Sequence, residues 1–195
     1  LTTGTGNDLI LFNKGDGFDT VNLSTGNKTV SLGGDLDYAN LSLTKSGNDL
    51  ILNTGNGEGL TFKNWYSGAS YRTVVNLQVI AEAMAGFNAS GNNDLLNNKV
   101  ESFDFAGLVA DFDAARTANT GINSWALTNA LLDRHLGESD TAAFGGDLAY
   151  QYGVNGNLSM IGSTSAQQVI NDAGFGNQMQ NLRPKDQIQE GIKLA

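Results

Sequence analysis

Along the first eighty residues, apolar positions recur in short runs separated by glycine and asparagine punctuation. Val21 and Leu23, Val30 and Leu32, Leu41 and Leu43, and Leu60 and Phe62 each stand two apart. That spacing puts each pair on one face of a pleated strand. Val75, Leu77 and Val79 continue the pattern in a last strand. The runs fall at 8–12, 19–23, 28–32, 40–44, 48–53 and 60–65. Bends such as Ser24-Thr25-Gly26-Asn27 and Ser46-Gly47-Asn48-Asp49 supply residues that tolerate positive φ between them. This stretch is predicted to be all-β.

From about Ala81 the period lengthens. Phe105, Leu108, Val109 and Phe112 stand at i, i+3, i+4 and i+7, a helical stripe running to about Ala118. Ser124 offers a cap for a second helix through Trp125, Ala126, Leu127, Leu131 and Leu132 to Leu136, with Gly137 as its stop. Gly145-Gly146-Asp147 opens a short helix over 148–152. Thr164 with Gln167 forms a capping box ahead of Ala166, Val169, Ile170 and Ala173, and Pro184 suits the first turn of a last helix. The expected class is α+β: a short, irregular β-roll or sheet over 1–80 and a helical domain over 81–195, with the boundary between 80 and 93.

Composition fits a folded chain. At 195 residues and 40% apolar content there is material for one good core or two modest ones. The net charge is −9 with only 16% charged residues, so the polarity comes from 25 glycines and abundant Asn, Ser and Thr. An acidic chain without basic clusters repels phosphate backbones, which argues against nucleic acid. The absence of cysteine excludes disulfides, thiolate zinc sites and cysteine nucleophiles. No apolar run approaches the roughly 20 residues of a membrane span. The chain starts without methionine, directly before a glycine motif, which reads as a piece of something longer.

Two bends carry chemistry as well as geometry: Gly4-Thr5-Gly6-Asn7-Asp8-Leu9-Ile10 and Gly15-Asp16-Gly17-Phe18-Asp19-Thr20-Val21. Both follow Gly-x-Gly-x-Asp-x-apolar, the order of a calcium-binding β-helix repeat. Glycines let carbonyl oxygens converge and the aspartate adds a charged oxygen, the hard donors that calcium takes. With half-turns of about nine residues, loops about eighteen apart share an edge. Gly15 and Asp19 are therefore expected to share an ion with the 33–37 bend, through Asp35 and Asp37, while Gly4, Gly6 and Asp8 would need a partner loop ahead of Leu1. Asp16 and Gly17 complete the candidate ligand set. Asp49 and Glu58 read as solvated surface acids.

Taken as a continuous string, the stretch from Gly4 to about Ile80 resembles the end of the repeats-in-toxin (RTX) family. The residues that carry this are Gly6-Asn7-Asp8 and Leu11-Phe12-Asn13-Lys14-Gly15-Asp16-Gly17-Phe18-Asp19-Thr20-Val21. Leu36-Asp37-Tyr38-Ala39-Asn40-Leu41-Ser42-Leu43-Thr44-Lys45-Ser46-Gly47-Asn48-Asp49-Leu50 and Leu60-Thr61-Phe62-Lys63-Asn64-Trp65-Tyr66 are similar to the haemolysin-type calcium-binding related module that closes such arrays. The resemblance implies repeats that fold as Ca2+ enters outside the cell, after type I secretion, and hence a secreted or cell-surface location. Only two repeat-like turns are present, and Gly4 and Gly15 are eleven residues apart, so a short irregular cap is expected, not a long roll. The region from Val100 onward resembles large calcium-binding or haemagglutinin-like exoproteins through Trp125-Ala126-Leu127-Thr128 and Gly145-Gly146-Asp147-Leu148-Ala149-Tyr150.

No catalytic arrangement stands out. His135 is the only histidine and reads as a solvated or helix-end residue. Asp104 and Asp111, seven apart, can share a helix face, which acidic helix surfaces do constantly. Trp125, Tyr150 and Tyr152 suit a sugar or peptide groove, and suit core packing better. The expected role is a non-enzymatic, calcium-stabilised terminal module of a secreted or surface protein, serving extracellular folding, assembly or adhesion. Alternatives are an adhesin head that binds a cell-surface protein or glycan, or the non-catalytic tail of a secreted hydrolase. The last residues, 187–195, form a candidate secretion signal if the natural chain ends there.

Overall fold

In the computed structural model, which describes residues 1–159 and 179–181, the alternating runs become strands. In chain order these are β1 (Asp8–Asn13), β2 (Phe18–Val21), β3 (Lys28–Gly33), β4 (Ser42–Ser46), β5 (Asp49–Gly55), β6 (Glu58–Phe62), β7 (Val74–Val79) and β8 (Val100–Asp104). After them come α1 (Phe105–Ala118), β9 (Ser124–Ala126), β10 (His135–Ser139), β11 (Ala142–Phe144), α2 (Gly146–Asn155) and β12 (Met179–Asn181).

Two five-stranded sheets hold most of these, in the orders β1-β3-β7-β8-β10 and β2-β6-β5-β4-β9. The chain crosses between them at each bend of the first coil, β1 to β2 to β3, and again from β6 to β7. The pairs β1–β3, β3–β7 and β2–β6 are parallel. These parallel pairs are interrupted by the antiparallel β4–β5 hairpin and followed by antiparallel β8 and β10, so both sheets are mixed. Inward residues of both sheets merge into one core: Phe12, Val30, Leu32 and Leu77 from the first sheet meet Leu43, Leu50, Leu60 and Phe62 from the second.

The helix over Phe105–Ala118 forms where its stripe predicts. Asp104 caps it by accepting the Gly107 N–H at 2.9 Å. Its buried face of Phe105, Leu108, Val109 and Phe112 joins the same core, with the Phe105 ring 5.8 Å from Phe62 and 5.9 Å from Trp65. The short helix after Gly145 also forms, longer than expected, as α2.

Residues 124–136 depart from the helical expectation. Ser124–Ala126 pairs with the open edge of β4, the Leu127 N–H donates to the Leu41 carbonyl, and a single 3₁₀ turn leads toward β10. Leu127 and Leu131 are buried, but Leu132 and Leu136 are 68% and 61% exposed, so the stripe has no continuous core to face. A helix would pair its own backbone but present a broken apolar face; pairing with β4 instead covers that open edge while keeping Leu127 and Leu131 in the core. Gly137 accordingly lies inside a strand and stops no helix. The class is α+β with strands dominant. The stretch 80–93 connects β7 to β8, which are neighbours in one sheet. The candidate helices at 164–173 and from Pro184 lie outside the described residues.

Packing α2 on the outer face of the first sheet buries what would otherwise be that sheet's polar side. All six residues of β3 are buried. Gln78 is held by Ser31 and by both backbone groups of Phe144. Gly34 donates to the Gly153 carbonyl at 2.7 Å, and a Cβ on Gly153 would run into Ile80. Close approach of helix to sheet requires glycine here.

Candidate cation site at the glycine bends

The parallel pairing sets Asp8 opposite Lys28 and Asn13 opposite Gly33, a step of twenty residues. The 4–8 bend therefore stacks on the 24–28 bend, which follows it in the chain. The Gly6 N–H donates to the Thr25 carbonyl at 3.0 Å and the Asn27 N–H to the Asn7 side chain at 3.0 Å. Gly26, at φ +89°, lies so close that a Cβ there would collide with the Gly6 carbonyl.

At the centre of the two bends sits the ammonium of Lys28, whose side chain is fully buried. It donates to the carbonyl oxygens of Gly4 at 3.1 Å, Thr25 at 2.7 Å and Gly6, and lies 2.9 Å from the Asp8 carboxylate. An ammonium has three protons to donate and one charge to neutralise, and this cage supplies three carbonyls and one carboxylate. Carbonyl and carboxylate oxygens of the two glycine bends thus surround a cation tethered to the chain. Calcium takes roughly six to eight oxygens and would have to displace Lys28 to enter. Downstream of both motif aspartates the anchor residue is buried: Ile10 is 5% exposed and Val21 fully covered.

The 15–19 bend has different surroundings. Because β2 pairs with β6, its neighbour is the 57–59 bend: the Gly59 N–H donates to the Gly17 carbonyl and the Gly15 N–H to the Glu58 carboxylate, both at 3.0 Å. Asp16 accepts the Asn13 N–H at 2.7 Å and the Tyr152 hydroxyl at 2.9 Å. Burial, then the Asp16 hydrogen bond, then the charges of Asp16 and Asp19 push the Tyr152 phenol up to about 12.

Asp35 and Asp37 do not converge on Asp16 and Asp19. With a step of twenty, not eighteen, Gly33 faces Asn13, and Lys14 reaches Asp35 at 3.2 Å. The Ala85 N–H and then Lys14 hold the Asp35 carboxyl below its usual range. Asp37 caps the 3₁₀ turn Tyr38–Asn40 by accepting the Ala39 N–H at 2.8 Å. Asp49 binds Lys63 and the Asn64 N–H, so neither it nor Glu58 is simply solvated.

The remaining candidates have structural partners. Asp104 caps α1, and Asp111 forms a two-point ion pair with Arg134 at 2.7 and 2.6 Å. Trp125 packs 6.3 Å from Phe112, and the buried Tyr150 donates to Glu82. His135 is not a solvated helix-end residue: it lies in β10, 18% exposed, its Nε2 2.7 Å from the Glu101 carboxylate. Sequence reading missed this contact because it depends on which strand lies beside β10. Among the described residues no helix is long and apolar enough to cross a membrane. Neither a scan against protein-family models nor a search of curated proteins found a match.

Proposed function

We propose that the chain is an end module of an exported, RTX-type β-roll protein, whose work is to fold and close the roll outside the cell and to take part in assembly or adhesion there. Catalysis is not part of this reading. The observation that carries it is the cage around Lys28: glycine bends stacked in parallel register, their carbonyls and an aspartate gathered on one cation. Here a lysine supplies the charge that such bends otherwise draw from Ca2+, so the first coil is locked without metal.

Calcium then belongs at the other edge. The 15–19 bend carries Asp16 and Asp19 in sequence, and the Glu58 carboxylate accepts the Gly15 N–H there, so hard oxygen donors lie along that surface bend. Secretion by a type I apparatus and a surface protein or glycan as partner remain part of the same proposal, supported by the resemblance of the 4–80 string.

Heat denaturation in chelator and in millimolar calcium tests it. Calcium should raise the Tm by several degrees in the 195-residue chain, about the shift that one ligand bound well above its Kd gives, and Asp19→Ala should remove that gain. Equal melting temperatures with and without calcium would sink the calcium reading.

A further inference from the structure

A second group of cation ligands lies away from the glycine bends, where β8 and β10 pair. Glu138 stands opposite Glu101, and His135 opposite Phe103. Residues three apart on a regular strand point to opposite faces. Here the register shifts between His135 and Gly137, and that bulge brings His135 and Glu138 onto the face that Glu101 and Phe103 share. The His135 Nε2 lies 2.7 Å from one Glu101 oxygen and 3.8 Å from a Glu138 oxygen, and one ligand atom from each residue falls within 4.8 Å of the others.

The state of Glu101 is the second observation. Its side chain is fully covered, yet its Oε1 makes no hydrogen bond of regular geometry. A buried carboxylate oxygen without a partner is costly. A single imidazole faces two glutamates here, with the nearer carboxyl fully covered.

The geometry points to a divalent transition-metal site formed by Glu101, His135 and Glu138, suited to an ion of the zinc class. One imidazole nitrogen with two carboxylate oxygens is a donor set zinc, cobalt and manganese accept, whereas calcium selects oxygen alone. Three protein ligands leave one position for water, and Glu138, half exposed, is the ligand nearest to solvent. The site is independent of the glycine bends and of the function proposed from them.

Cobalt(II) titration of the whole chain, followed by visible absorption and by calorimetry with zinc, tests the assignment. Expected are d–d bands on cobalt addition, their loss on adding one equivalent of zinc, and no loss with millimolar calcium. Glu138→Gln, at a half-exposed position that leaves the core intact, should weaken zinc binding about tenfold or more, and His135→Gln should abolish the bands. Asp16→Asn with Asp19→Ala should leave the spectrum unchanged. Absent bands and heat up to millimolar metal, binding by Glu138→Gln equal to that of the parent, or loss of the bands in the Asp16/Asp19 variant would each overturn it.

Discussion

Lys28 and Asp8 occupy facing positions in the β3–β1 register, and the ammonium of one lies 2.9 Å from the carboxylate of the other in a cage closed by three carbonyl oxygens. The pair ties the first coil to the second, and its lysine is fully buried. Removing one partner of a buried pair leaves the other charge uncompensated, which costs about 3–5 kcal/mol. Asp8→Ala, which leaves the fully buried Lys28 ammonium without its counter-charge, should therefore lower the urea-denaturation free energy by that order at neutral pH. A loss under about 1 kcal/mol, the range of surface pairs, would mean that the ammonium does not hold the bends together.

The contact between α2 and the first sheet depends on Gly153 facing Gly33, each lacking the Cβ that would drive the helix off the sheet. Gly153→Ala gains helix propensity but meets Ile80 and should destabilise by about 1–3 kcal/mol, the range of overpacked cores. Limited proteolysis should then cut earlier within 145–159. An unchanged cleavage pattern together with a higher Tm would show that propensity outweighs the close approach.

Arg134 holds the Asp111 carboxyl below its usual range, chiefly through the two-point hydrogen bond. A carboxyl depressed in the folded state stabilises the fold fully above its unfolded value, about 3.9, and this contribution disappears as pH falls through the folded value. The stability difference between the parent and Asp111→Asn should thus be present at pH 7 and shrink below about pH 4. A difference that stays constant down to pH 2 would assign it to packing.

Much of the β half was legible because alternation is local. Val30 with Leu32, and Leu60 with Phe62, name their own inward face, and the Phe105–Phe112 stripe does the same for α1. The step between coils was harder to read, since an eighteen-residue expectation pairs Gly15 with Gly33, whereas a twenty-residue step puts Gly33 beside Asn13. The signal for it was present: laid under 4–8 at a step of twenty, the 24–28 bend puts Gly26 beneath Gly6 and a lysine beneath Asp8. Residues 124–139 were illegible for a different reason. Their strands complete edges of sheets built from distant segments, and the apolar spacing of Leu127 and Leu131 suits a helix equally well. Glu101 and His135 come together only through a bulge, which no local pattern announces.

Calcium stoichiometry by isothermal titration, compared between the parent chain and Lys28→Asp, tests the cation cage most directly. Replacing the tethered ammonium by a second carboxylate leaves the same carbonyls gathered around an unfilled centre, so the variant should bind one more calcium per chain than the parent and regain in calcium the melting temperature it loses in chelator. A folded Lys28→Asp chain with the parent's stoichiometry, and no rescue by calcium, would contradict the account.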